Sequence, residues 1–129
     1  MPSFSRRAAW TSLLSAILLV ITLGMSLAGE LVMFDARSCP WCRAWNRDIG
    51  RTYDKTAEAR ILKLRRVDAD KETDGDIQLT SPVMFTPVFV ITACGREIGR
   101  INGYSSKEQF WGLLNAEIER NRTRLAAPC

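Results

Sequence analysis

The 129-residue sequence contains no histidine. This absence removes the usual general base, the commonest metal ligand and the partner of Cys–His nucleophilic pairs. Long runs of like charge are also missing, and 18 Lys and Arg exceed 14 Asp and Glu by little. Because a nucleic-acid surface needs a concentrated basic patch, we exclude nucleic acid as a partner. Tetrahedral zinc would need all four cysteines to converge, so we predict no metal and no cofactor.

The first 28 residues have the layout of a secretory signal. Arg6 and Arg7 precede an uncharged stretch of 21 residues, 8–28, that ends in Ser26-Leu27-Ala28. The small residues at its end favour cleavage, although a stretch of this length is also sufficient for a membrane anchor. Both alternatives export the remainder. We therefore expect a periplasmic protein with one domain over residues 29–121 and a loose C-terminal tail over residues 122–129.

Two of the cysteines form the motif Cys39-Pro40-Trp41-Cys42, between a predicted strand at 30–36 and a predicted helix running from 40 towards 55. A thiol on the first turn of a helix faces unpaired backbone N–H groups and the positive end of the helix dipole. Both favour the thiolate, so we expect the pKa of Cys39 to fall. Cys42 would then resolve a mixed disulfide formed at Cys39. A structural disulfide is the alternative, but so short a loop gains little chain entropy.

The rest of the domain alternates between predicted strands and helices. The predicted elements are a strand at 61–68, a polar loop at 70–81 with at most a short helix near 77–79, strands at 88–92 and 97–102, and a final helix. Thr86-Pro87 interrupts an apolar run, which we interpret as a cis peptide bond at the start of a strand. Ser105 and Glu108 have the spacing of a capping box for the final helix. Two apolar stripes should be buried: Trp45, Ile49 and Tyr53 on the first helix, and Phe110, Leu114 and Ile118 on the last. This order predicts an α/β fold, a central mixed sheet with helices on both faces.

The arrangement resembles the thioredoxin family over residues 30–120. Cys39-Pro40-Trp41-Cys42 opens the first helix, Thr86-Pro87 stands about 45 residues later, and Gly103 ends the last strand. The resemblance implies the thioredoxin fold, with Cys39 and Cys42 as the catalytic residues. It also implies that Thr86, Pro87 and Gly103 contact the substrate. We expect Trp41, exposed between the cysteines, to join them.

Finer features resemble the SoxS-type periplasmic thioredoxins of bacterial sulfur-oxidation (Sox) clusters. They are residues 34–36 (FDA), 85–90 (FTPVFV), 95–104 (GREIGRINGY) and 110–114 (FWGLL). The resemblance implies a monomer that keeps a Sox sulfur-carrier protein reduced, supplied with electrons by a membrane thiol-electron transporter of the CcdA type. Thioredoxins proper hold a buried Asp six residues before the first cysteine, where this chain has Met33. Water or Glu30 would then serve in proton transfer to the second thiol.

The other two cysteines, Cys94 and Cys129, are expected at the end of the sheet opposite to Cys39. The final segment is long enough for a structural disulfide between them, with two free thiols as the alternative. Two functions besides a reductase stay open. One is a non-catalytic thioredoxin-like binding module, and the other is a disulfide-forming oxidase, which differs from a reductase only in reduction potential.

Overall fold

A four-stranded mixed β-sheet forms the centre of the computed structural model, which describes residues 29–71 and 76–129. The strands are β1 (Gly29–Asp35), β2 (Lys63–Asp68), β3 (Val88–Ala93) and β4 (Arg96–Asn102), in the spatial order β2-β1-β3-β4. β1 pairs parallel with β2 and antiparallel with β3, and β3 and β4 form an antiparallel hairpin. The predicted α/β class and mixed sheet are confirmed. The predicted signal segment, 1–28, lies outside the described residues, and none of the helices within them is long and apolar enough to cross a membrane.

The helix that carries the cysteine motif is shorter than predicted. α1 (Pro40–Trp45) continues as one π-helical segment, Asn46–Gly50, and the chain then turns into a 3₁₀ turn, Tyr53–Lys55, and α2 (Ala57–Ile61). The prediction of one helix towards residue 55 is therefore wrong beyond Gly50. Thr52 explains part of the break, because its hydroxyl donates to the Ile49 carbonyl at 3.2 Å and ends the helix. The predicted stripe of Trp45, Ile49 and Tyr53 is nevertheless fully buried.

The C-terminal region contains two helices, α3 (Lys107–Arg120) and α4 (Arg122–Ala126). Ser106, not the predicted Ser105, caps α3, since its Oγ accepts the Gln109 N–H at 3.2 Å. The expected loose tail is also wrong for α4, because Leu125 is buried. Its side chain lies against Gly29, where an added Cβ would come 2.8 Å from Leu125 Cδ2.

The first face of the sheet packs against α1 and α3 through a cluster of aromatic rings. The Trp45 ring lies 5.1 Å from Phe89 and 5.6 Å from Phe110, centroid to centroid, and Phe89 lies 5.0 Å from Phe110. Large buried side chains of this size dominate the energetics of a small core. Trp45, the last residue of α1, therefore packs the helix with the cysteine motif against Phe89 of β3 and Phe110 of α3.

The second face of the sheet is covered, within the described residues, by an extended segment rather than by the expected helix. The buried cluster there comprises Val32, Phe34, Val67, Ile77, Val88 and Val90. Gln78 forms a parallel bridge with Arg96, so the predicted polar loop contains no short helix near residues 77–79. The half-buried ion pair between Glu97 and Arg100 holds the segment, since Glu97 accepts the Thr80 N–H at 2.8 Å and Arg100 Nη2 donates to the Ser81 carbonyl at 2.8 Å.

Candidate active site

The two motif cysteines are joined at the start of α1. Cys39 is the N-cap residue, Pro40 is the first helical residue, and the two Sγ atoms are 2.05 Å apart. The Cys42 backbone N–H also donates to Cys39 Sγ at 3.1 Å. Proline suits this position because its missing N–H would have no helical partner. A donor aimed at Cys39 Sγ would stabilise negative charge on that sulfur after reduction of the disulfide.

The two cysteines differ in their access to solvent. Both belong to the buried core that contains Trp45, but Cys39, the N-cap residue, is 6 % exposed, whereas Cys42, one turn further along the helix, is 1 % exposed. Cys39 is therefore the sulfur that a disulfide partner reaches first. The geometry gives Cys39 the role of attacking sulfur and Cys42 the role of resolving sulfur.

The loops that follow β1 and precede β3 bring the other predicted site residues to the same edge of the sheet. The Thr86-Pro87 peptide bond is cis, as predicted, and Val88 pairs with Phe34 near the end of β1. The Gly103 N–H donates to the Pro87 carbonyl at 2.9 Å. Gly103 has φ +80° and open space where a Cβ would be. Substrate contact by Thr86, Pro87 and Gly103 stays a prediction.

Three apolar side chains are unusually exposed in the segments that carry the motif and the cis proline. Trp41 is 58 % exposed, Met84 is 82 % exposed and Phe85 is 55 % exposed. Sequence reasoning selected Trp41 but missed Met84 and Phe85. Their signal was present, because a proline two residues after Phe85 prevents the apolar run from being one paired strand. Exposed side chains of this size are typical of protein-binding surfaces.

The position of the buried acid of thioredoxins proper is filled by apolar packing. Met33 is fully buried, and its sulfur lies 3.3 Å from Arg66 Nη1. Glu30 does not replace the acid, because it forms an ion pair with Arg65 at 3.4 Å. Glu30 also lies five residues before Asp35, which is about 16 Å along β1 from the end that carries the motif. Glu30 as a proton-transfer group is therefore wrong. Asp35 is the acid at the motif end of β1, where Asn46 Nδ2 and Arg66 Nη1 lie 3.5 and 3.6 Å from its Oδ2.

A tyrosine that sequence reasoning missed connects the end of β4 to the motif helix. Tyr104 follows Gly103 and donates its hydroxyl proton to Asp48 Oδ2 at 2.9 Å. Burial, and then this bond to a carboxylate, raise the pKa of Tyr104 to about 12. The phenol therefore stays a neutral donor, and it holds the Gly103 loop against the π-helical segment.

The second pair of cysteines lies at the other end of the sheet. Cys94 follows Ala93, which pairs with Gly29 at the start of β1, whereas Cys39 follows the end of β1. The Cys94 and Cys129 Sγ atoms are 2.09 Å apart, with 5.6 Å between the Cα atoms. The four cysteines thus form two separate disulfides. In the described ranges no cluster of three or more potential metal ligands is found.

Comparisons with known proteins agree with this geometry. The family model of the thioredoxin-like domain matches residues 28–118. The chain is similar to the crystal structure of the reduced form of the periplasmic thioredoxin SoxS from Paracoccus pantotrophus, with 33 % identity, a TM-score of 0.68, and coverage of 71 % of this chain and 97 % of that one. Thioredoxin Mala s 13 from Malassezia sympodialis, 18 % identical with a TM-score of 0.50 over 72 % of this chain and 80 % of that one, shares the fold alone. No curated protein matches the chain by sequence.

The resemblance to SoxS-type thioredoxins is therefore confirmed, as is the thioredoxin fold. The departures at Met33 and at the second face of the sheet leave the cysteine pair and the cis proline in place. The chain belongs to the thioredoxin-like family and is a thiol-disulfide oxidoreductase whose redox pair is Cys39 and Cys42.

Proposed function

We propose that the protein is a periplasmic reductase of protein disulfides, or of oxidised cysteine adducts, that keeps a sulfur-carrier protein of a sulfur-oxidation system reduced. The likeness to a periplasmic SoxS thioredoxin supports the compartment. The observation that carries the exchange chemistry is the asymmetry of the redox pair, in which Cys39 (6 % exposed), close in sequence to exposed Trp41, is the more accessible sulfur and Cys42 (1 % exposed) is the more enclosed one. The direction of electron flow is set by the reduction potential of the pair.

The exchange proceeds in two steps. The Cys39 thiolate attacks one sulfur of the partner disulfide, which forms a mixed disulfide and releases the other partner sulfur as a thiolate. Cys42 then gives up its proton and attacks Cys39 Sγ, which releases the second partner thiolate. Two electrons pass to the partner, and the pair ends as the Cys39–Cys42 disulfide seen here.

A further turnover needs an external dithiol, because the oxidised pair cannot attack another disulfide. A membrane thiol-electron transporter of the CcdA type is the proposed donor. Its dithiol would attack Cys39, the accessible sulfur, by the same exchange in reverse. The exposed side chains of Trp41, Met84 and Phe85 offer apolar contacts to either partner.

Trapping tests the assignment of the two sulfurs. Cys42→Ser should accumulate a mixed disulfide through Cys39 with the partner, since nothing resolves it. The matched variant Cys39→Ser should trap none, because Cys42 is enclosed. A non-catalytic binding module predicts a different pattern, in which Cys39→Ser keeps full partner-linked activity and a Pro87 substitution abolishes it. That pattern would overturn the proposal.

A further inference from the structure

Four arginines converge on one open groove beside the motif helix. The groove has a volume of about 540 Å³ and is lined by Arg43, Asn46, Arg47, Gly50, Arg51 and Arg66. We call it the basic groove. Its lining contains no acidic residue. Arg43 directly follows Cys42 in sequence, and the lining residues continue from it to Arg51, away from the cysteine pair along the chain.

The positive charge of the basic groove is only partly balanced. Arg47 pairs with Asp48 at 3.0 Å, and Arg66 lies 3.6 Å from Asp35. Arg43 and Arg51 form no ion pair with any residue in 29–71 or 76–129; Arg43 donates instead to the Arg37 carbonyl at 3.2 Å. Like charges four residues apart repel on a helix. Arg43 and Arg47 have this spacing across the junction of α1 and the π-helical segment, and Arg51 directly follows that segment, so an acidic ligand would relieve the repulsion among the three cations.

The floor of the basic groove is built by close packing around Gly50. A Cβ there would lie 2.9 Å from the Trp45 ring, 2.9 Å from Asn46 Oδ1 and 3.1 Å from Arg66 Nη2. Arg66 also lies over the Trp45 ring, with 5.6 Å from its Cζ to the centroid, and touches Met33. Arg66 is thus held by β2 and the core, opposite the arginines of the helix.

The length of the basic groove indicates the size of its ligand. Arg51 lies eight positions after Arg43, and since residues 46–50 are π-helical this stretch is at most as long as the about 12 Å of an α-helix. An extended peptide rises about 3.3 Å per residue, so about four residues cover this distance. We propose that the basic groove binds an acidic, extended segment of the partner protein, next to the disulfide that Cys39 attacks.

This inference rests on the proposed function, because it names the chemistry of the partner of the same site. Complementary charge mainly raises the rate of association and selects among partners. The chemical step at Cys39 should be unaffected. The effect should therefore appear in the reaction with an acidic substrate and be absent from the reaction with a neutral one.

Three synthetic disulfides test the proposal against the reduced full-length protein. Two are cysteine peptides blocked as 2-pyridyl disulfides, one with four glutamates beside the cysteine and one with four lysines. The third is the small neutral 2-hydroxyethyl 2-pyridyl disulfide. At low ionic strength the glutamate peptide should react about tenfold faster than the lysine peptide, within the range of electrostatic steering. Physiological salt should reduce this ratio, since the charges are exposed.

Charge reversal in the groove supplies the variants. Arg47→Glu/Arg51→Glu should bring the two peptide rates within about twofold, or reverse them, while the neutral disulfide reacts as with wild type. Arg60→Glu/Lys63→Glu is the matched control, because it makes the same change in net charge at exposed positions by the start of β2, at the far end of the sheet. The control should keep the preference for glutamate.

Equal peptide rates in wild type, a preference that survives in Arg47→Glu/Arg51→Glu, or an equal loss in the control would each overturn the basic-groove proposal. In these cases the neutral disulfide still reacts and the proposed function stands. Absence of any reaction with the neutral disulfide in wild type would overturn both. If Arg47→Glu/Arg51→Glu no longer reacts with the neutral disulfide, the ratio of the two peptide rates is measured in Arg47→Gln/Arg51→Gln and, for wild type, at increasing salt. A ratio that stays unchanged in both measurements overturns the basic-groove proposal.

Discussion

The double substitution Cys94→Ser/Cys129→Ser opens the disulfide that fastens the C-terminal segment to the β3–β4 hairpin. The two cysteines are 35 residues apart in sequence, whereas Cys39 and Cys42 are 3 apart. In the chain-entropy description the longer loop restricts the unfolded chain by roughly 13 cal/mol/K and the shorter one by roughly 5. At 25 °C these values correspond to about 4 and about 1.5 kcal/mol of stability.

Most of this loss should arise in the unfolded chain. Leu125 keeps its packing against Leu62 and Gly29 without the disulfide, so α4 retains its apolar contact. Serine also replaces cysteine with little change in volume at both positions. The native state is therefore perturbed little, and the calculated entropy is an appropriate measure of the effect.

Urea unfolding under oxidising conditions measures the difference. With an m-value of about 2 kcal/mol/M, Cys94→Ser/Cys129→Ser should lower the midpoint by about 2 M. The matched control Cys39→Ser/Cys42→Ser should lower it by less than about 1 M. Equal shifts in the two double variants, or no shift for Cys94→Ser/Cys129→Ser, would refute the reasoning.

Two further predictions concern buried ionisable groups. Burial raises the pKa of both tyrosines of the chain, Tyr53 and Tyr104, with Tyr104 at about 12, so the folded protein should show little tyrosinate absorbance at pH 11 while the urea-unfolded protein titrates near 10. Folded protein with half of its tyrosinate absorbance at pH 10 would contradict this. Burial also raises the pKa of Glu97, but the hydrogen bonds from Arg100 and from Thr80 outweigh it and hold this pKa below its ordinary value. Because the pKa of Glu97 is lower in the folded protein than in the unfolded chain, its pairing with Arg100 stabilises the folded protein at pH values above the ordinary Glu pKa. This stability is lost as pH falls through the pKa of Glu97 in the folded protein. Arg100→Met should cost about 2 kcal/mol at pH 7 and less at pH 3, since it removes the charged partner of a half-buried carboxylate and leaves the Thr80 N–H as its hydrogen-bond donor, and an equal cost at both pH values would contradict the pairing.

The redox site was predictable because its signals are local. A Cys-Pro-Trp-Cys stretch after an apolar run specifies a strand, a tight connection and a helix N-terminus without reference to distant residues. Thr86-Pro87 likewise carried its own signal, since a proline cannot pair inside a central strand. These segments have the predicted geometry.

The predictions failed where neighbouring residues had the same local sequence signal, or where tertiary contacts determined the local structure. Ser105 and Ser106 each have a polar partner three residues later, and the structure has Ser106 as the extended residue that precedes the helix. The C-terminal segment offers one large apolar residue, Leu125, so no periodicity revealed α4. Glu30 is close to Met33 in sequence, but it lies near the start of β1, at the end of the strand opposite to the cysteine motif.

The reduction potential of the Cys39–Cys42 pair tests the central claim most directly. It should be measured in Cys94→Ser/Cys129→Ser protein equilibrated in a series of thiol–disulfide buffers, so that only one disulfide titrates. The proposed reductase predicts a value near that of thioredoxin, about −270 mV. A value near about −120 mV, typical of a strong disulfide-forming oxidase, would contradict the direction of electron flow and leave only the thiol-disulfide chemistry.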